Sequence, residues 1–111
     1  MRGRITFSAL AALLLITAAA LSAPKDKPKR TEVSIKDRKY SPAKVNIKIG
    51  ETVLWTNHDH MDHTVDAKDG SFSSGTIKSG KTYEFTFKKA GEYPYECTLH
   101  PRMKGSVVVA K

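Results

Sequence analysis

Near the end of the 111-residue chain, Cys97, His100 and Met103 stand at intervals of three in the run Cys97-Thr98-Leu99-His100-Pro101-Arg102-Met103. A short loop with that spacing can turn a thiol, an imidazole and a thioether toward one point. Such soft and borderline ligands are those copper favours, and one thiolate with imidazoles and a weak thioether is the set found in electron-transfer copper sites. The set calls for one more imidazole, which His63, 34 residues before Cys97, supplies from a second loop. Each residue also has a plainer use, Cys97 as a buried thiol and Met103 as packing ahead of an apolar strand; the spacing of the three argues for metal. His58 and His60 fall outside the pattern. They are either exposed loop residues or, within the run His58-Asp59-His60-Met61-Asp62-His63, a second and weaker metal-capturing patch.

Strands must hold these loops, because nothing in the chain after the N-terminal apolar run has helical periodicity. Thr31 to Lys36 alternates with Val33 and Ile35 on one face. Ala43 to Ile49 alternates with Val45, Ile47 and Ile49 inward and Lys44, Asn46 and Lys48 outward. After a turn at Gly50-Glu51, Thr52 to Asn57 carries Val53 and Trp55 in phase, and His63 to Asp66 is short and extended. The Gly- and Ser-rich stretch Asp69 to Gly80 is a loop anchored by Phe72 and Ile77. Lys81 to Phe87, Glu92 to Cys97 and Lys104 to Ala110 complete the set, with Tyr83, Phe85 and Phe87 in phase as core residues. About seven short strands separated by turn signals in under 90 residues predict an all-β fold, a small antiparallel sandwich or barrel. Pro94 lacks a ladder donor and belongs at an edge or an irregular point.

Ile5 to Ala23 is almost wholly Ala, Leu and Ile after Arg2 and Arg4, and ends in small residues, the pattern of a secretory signal peptide with an uncleaved anchor as its rival. Residues 24–30 (PKDKPKR) form a basic, disordered lead-in, and residues 31–111 the domain. Residues 1–23 hold two of the 19 basic and none of the 11 acidic side chains, so their removal takes the net charge from +8 to +6 on 88 residues. That excess attracts acidic partners and favours solubility. Nucleic-acid binding is not expected, since no recognition helix or aromatic-interleaved basic motif is present. A single cysteine excludes an internal disulfide, CxxC redox chemistry and four-cysteine metal sites. It also excludes a binuclear copper centre built on two cysteines.

The arrangement WTN…MDHTV, then GEYPYECTLHPRM followed by GSVVV, resembles the cupredoxins, most closely the amicyanin and plastocyanin-like branch, over Val33 to Val109. The resemblance implies a Greek-key β-sandwich with one mononuclear type 1 copper and electron transfer between protein partners. By position it implies His63 and His100 as imidazole ligands, Cys97 as the thiolate in the trigonal plane and Met103 as the long axial ligand. Around the first histidine the chain departs from the family, with Asp62 in place of Pro and Thr64 in place of the Asn whose side chain is expected to lace the two ligand loops. A Thr hydroxyl can partly replace that Asn. An unpaired Asp62 near the site would favour Cu(II) and lower the potential.

The expected activity is that of an exported electron carrier, periplasmic or secreted and monomeric, not inserted in a membrane once processed, and not an enzyme. Electrons should enter and leave through the outer edge of His100, at an apolar patch of Met61, Leu99 and Pro101, with Phe72 nearby. Arg102, Lys104 and the lead-in should steer redox partner proteins that carry an acidic docking patch. The alternative is an envelope copper-handling protein, with His58 and His60 taking part in capture, storage or delivery.

Overall fold

The computed structural model describes residues 29–111, so the apolar segment 1–23 and most of the lead-in lie outside the described residues. Eight strands follow in order: β1 (Arg30–Lys36), β2 (Lys39–Ser41), β3 (Lys44–Lys48), β4 (Thr52–Asn57), β5 (Asp66–Ala67), β6 (Thr82–Thr86), β7 (Gly91–Glu96) and β8 (Lys104–Ala110). Among the described residues there is no helix. The strands form two four-stranded sheets, ordered β2-β1-β4-β6 and β3-β8-β7-β5.

Alternation places the core between them. Val33, Ile35, Val53 and Trp55 point inward from the first sheet, and Val45, Ile47, Tyr95, Val107 and Val109 from the second, all of them buried. Phe72, folded in from the long loop, fills the space between with its ring 5.8 Å from Trp55, 5.1 Å from Phe85 and 5.5 Å from Phe87. Tyr95 lies across Gly105, its cross-strand partner, where an added Cβ would run into the Tyr95 ring. Only a residue without a side chain fits there.

Four expectations change. The sandwich is mixed rather than antiparallel, because β1 pairs β4 and β3 pairs β8 in parallel. Between β2 and β7 the chain alternates from sheet to sheet, and such crossing connections, unlike the hairpins β1–β2 and β7–β8, can bring same-direction strands side by side. The strands number eight: Lys39–Ser41 folds back on β1, and its single inward side chain, Tyr40, is too short a pattern to register as alternation. Ile49 is 43% exposed rather than inward, since β3 ends at Lys48 and the turn into Gly50 swings the next side chain out. The fold also starts earlier than residue 31, as Arg30 opens β1 and the Lys29 carbonyl accepts the Thr52 amide at 3.1 Å.

Pro94 sits where the irregular point was expected. Its carbonyl accepts from Lys68 N on the β5 side, where that two-residue strand has run out, so its missing N–H costs the β7–β8 ladder nothing.

Candidate metal centre

The interval of three works through two successive turns. His100 N donates to the Cys97 carbonyl at 3.3 Å and Met103 N to the His100 carbonyl at 2.8 Å, while Cys97 N closes the loop on the Met103 carbonyl at 3.2 Å. Each turn returns the chain to the same side, so Cys97 just after β7 and Met103 just before β8 are both buried, with His100 half-buried between them. His63 comes from the opposite loop. It is pinned to Ile77 by an isolated bridge, His63 N to the Ile77 carbonyl at 3.2 Å and Ile77 N to the His63 carbonyl at 2.7 Å.

The donor atoms of His63, Cys97 and His100 lie within 4.8 Å of one another. Cys97 Sγ is 3.8 Å from His63 Nδ1 and 3.6 Å from His100 Nδ1. An ion bonded to a thiolate at about 2.3 Å and an imidazole at about 2.0 Å holds the two donors about 3.7 Å apart at near-trigonal or tetrahedral angles. The three side chains therefore fit one metal ion with little rearrangement, and a set of one thiolate and two imidazoles favours copper over hard cations.

A family model described as a cupredoxin-like domain matches residues 6–109. The chain belongs to the cupredoxin family. It is 41% identical over 109 residues to amicyanin-alpha of Methylorubrum extorquens, an alignment covering 93% of this chain and 89% of that protein. It is 31% identical to the plastocyanin of Scenedesmus fuscus over 63% of this chain and 85% of that one. Among solved structures, a reduced tryptophan-to-tyrosine variant of amicyanin superposes with a TM-score of 0.69 at 32% identity, covering 77% of this chain and 86% of the other. As a cupredoxin of the amicyanin and plastocyanin type, the chain is an electron carrier rather than an enzyme, and its cofactor is one type 1 copper.

In this cupredoxin, Thr64 does tie the two ligand loops together. Its hydroxyl accepts Thr98 N at 2.9 Å, lies 3.2 Å from Thr98 Oγ1 and donates to Asp66 Oδ2 at 2.5 Å, while its amide donates to Cys97 Sγ at 3.3 Å. Because a carboxylate only accepts, Asp66 fixes the polarity of that hydroxyl. The Thr64 carbonyl in turn accepts the Tyr40 hydroxyl at 2.6 Å. Burial above all, with the charge of Cys97 next, pushes the Tyr40 phenol upward, so it stays a donor.

Asp62 does not take the part expected of it. It is exposed and pairs with Lys78 at 3.8 Å. The carboxylate that meets the site is Asp59, which sequence reasoning placed only within the histidine-rich run. Asp59 Oδ2 lies 2.7 Å from His63 Nε2, which leaves Nδ1 to face the sulfur. The same carboxylate accepts Asp37 N at 2.7 Å and Arg38 N at 3.0 Å. Burial alone would raise the Asp59 carboxyl, but the Arg38 and Asp37 amides and His63 outweigh it and hold it below the usual carboxylate range. A carboxylate four residues before a ligand histidine was the available signal. It was unreadable because the distant β1–β2 turn completes the site.

Met61, Leu99, Pro101 and Arg102 are exposed, and Leu99, His100, Pro101 and Arg102 line a depression of about 540 Å³ together with Met103. Phe72 is not part of that surface, since it is buried against Trp55 and Tyr95. His58 and His60 are exposed, and among the described residues the only three-donor group of His, Cys, Asp or Glu is His63, Cys97 and His100.

Proposed function

We propose that this chain is an exported blue-copper protein that passes single electrons between partner proteins across the outer edge of His100. The carrying observation is the convergence of the His63, Cys97 and His100 donors within 4.8 Å, with Met103 buried at the end of the loop that carries two of them. In this reading His63, Cys97 and His100 would hold the copper, with the Met103 thioether as a fourth, weaker donor. Bound there, copper supplies a one-electron couple between Cu(I) and Cu(II).

The chain's own residues keep that couple quick by holding still. The Thr64 amide and the two turns of the 97–103 loop fix the sulfur, and Asp59 orients His63. His100 faces the sulfur with Nδ1, so its opposite ring edge is the part of the site nearest a partner. The apolar ring of Leu99, Pro101 and Met61 suits brief docking, and Arg102 with Lys104 suits an acidic surface opposite. Residues 1–23 have the pattern of an export signal, and the relatives named amicyanin and plastocyanin are consistent with it. The processed protein acts as a monomer outside the cytoplasm.

The test is the visible spectrum of the purified protein after Cu(II) is added. An intense blue or green thiolate-to-copper band, bleached reversibly by ascorbate and lost in Cys97→Ala, is the expected result. Copper binding that survives Cys97→Ala without such a band would instead point to capture by His58 and His60, and to copper handling.

A further inference from the structure

The β1–β2 hairpin turns on two consecutive left-handed residues, neither of them glycine: Asp37 at φ 54° and Arg38 at φ 57°. A two-residue hairpin needs that conformation, and Asn-Gly is its favoured filling. An arginine at such a position is disfavoured. The turn is nonetheless held in place, because both amides donate to the Asp59 carboxylate that also meets His63. Strain of this kind gathers where the displayed side chain has a use.

Arg38 is displayed against the ligand loop. It lines the depression of about 540 Å³ with His100 and Arg102, and a second of about 170 Å³ with Lys39, Arg102 and Lys104, with Met103 in the lining of both. All four cations are exposed, and none of them forms an ion pair with any described residue. Asp37, exposed at the rim, is the only acid lining either depression. Four unpaired cations around two adjoining hollows make a strong local field for anions.

We propose that the groove between the β1–β2 turn and the ligand loop recognises clustered carboxylates on an acidic partner protein, with Arg38 and Lys39 as one wall and Arg102 and Lys104 as the other. This rests on the electron-carrier reading and adds to it a second docking element, far in sequence from the ligands. Through Asp59 that element is set at a fixed place relative to His63. Arg rather than Gly at the turn then trades stability for recognition.

The test compares wild type, Arg38→Gly and Lys39→Gln. In one arm the paramagnetic trianion hexacyanochromate(III) is titrated into the full-length, metal-free protein and amide broadening is followed. The expected pattern is early broadening at residues 37–39 and 99–104, ahead of the exposed Lys88-Lys89 pair beside the other end of the sandwich, and its loss at residues 37–39 in Arg38→Gly. In the other arm the copper-loaded, reduced protein is oxidised by hexacyanoferrate(III). Each variant should react at least about threefold more slowly than wild type at low ionic strength and converge with it by about 0.5 M salt, where screening is short-ranged. Arg38→Gly should also melt at a higher temperature, as relief of a left-handed arginine requires.

Equal broadening at Lys88-Lys89, or broadening and salt dependence unchanged in both variants, would overturn the proposal. So would a concentration-dependent dimer abolished by Arg38→Gly, which would make a second copy the occupant. Failure of the copper reading would remove the kinetic arm and leave the broadening arm intact, so the two failures are separable.

Discussion

The two ends of the sandwich are tied in different ways. At the ligand end, buried side chains bond to backbone: Asn57 Nδ2 donates to the Met61 and Ile77 carbonyls, both at 2.8 Å, Asn57 Oδ1 accepts Asp59 N, and Asp59 and Thr64 each bridge to a distant loop. At the other end backbone meets backbone, as Gly50 N donates to the Phe87 carbonyl at 2.7 Å, Phe87 N to Glu51 at 3.0 Å and Ile49 N to Ala110 at 2.9 Å. Turns of the second kind tolerate many sequences. Loops of the first kind depend on particular side chains, each leaving a buried partner unsatisfied when removed. That dependence makes the ligand end both rigid and fragile.

The contrast can be broken most sharply at Asn57, which is fully buried. Asn57→Ala removes three hydrogen bonds and should lower the unfolding free energy by about 2–4 kcal/mol in urea titration of the metal-free protein. A loss as small as at the other end would refute the contrast. Thr64→Val keeps the volume and deletes the lace, leaving Thr98 N without its acceptor. It should cost about 1–2 kcal/mol and speed hydrogen exchange at the Thr98 amide, with little change around Gly50.

Tyr95 sharpens the comparison from the core side. Burial pushes its phenol up to about 12; the indole N–H of Trp55 approaches it and offsets a little of the shift, without completing a hydrogen bond. A raised folded-state value favours the neutral form, so its contribution to stability is intact below about pH 10 and is lost as pH rises from there through about 12. Tyr95→Phe should therefore leave neutral-pH stability unchanged or raise it by up to about 1 kcal/mol, and should flatten the alkaline limb of the stability profile. Tyr40, shifted in the same direction, keeps part of that limb. The smallest effect is expected at the far end. Glu51→Ala deletes the exposed bond from Lys48 N and should change stability by less than about 0.5 kcal/mol.

Alternation placed the strands that carry inward residues well. β4 runs from Thr52 to Asn57 as expected, and Val33, Ile35, Val45, Ile47, Val53 and Trp55 are all inside. It failed where a pattern was one residue long, as at Tyr40, or ran past the strand into a turn, as at Ile49. Phe72 shows the other limit. Its reading as an inward anchor holds, while its place near the docking patch does not, because the gap between the sheets takes the whole ring.

What the sequence by itself determined is the chemistry and its local spacing. Cys97, His100 and Met103 at intervals of three allow turns that converge, and the alternating segments demand a sandwich to bury their apolar faces. Only the tertiary structure decided which acid serves the site. Asp59 and Asp62 are three residues apart and alike in type, yet one receives amides from a turn 21 and 22 residues away while the other faces solvent and Lys78. It likewise decided that Arg38 stands beside His100. Such choices depend on which distant backbone groups the fold carries past a side chain, and no local pattern records them.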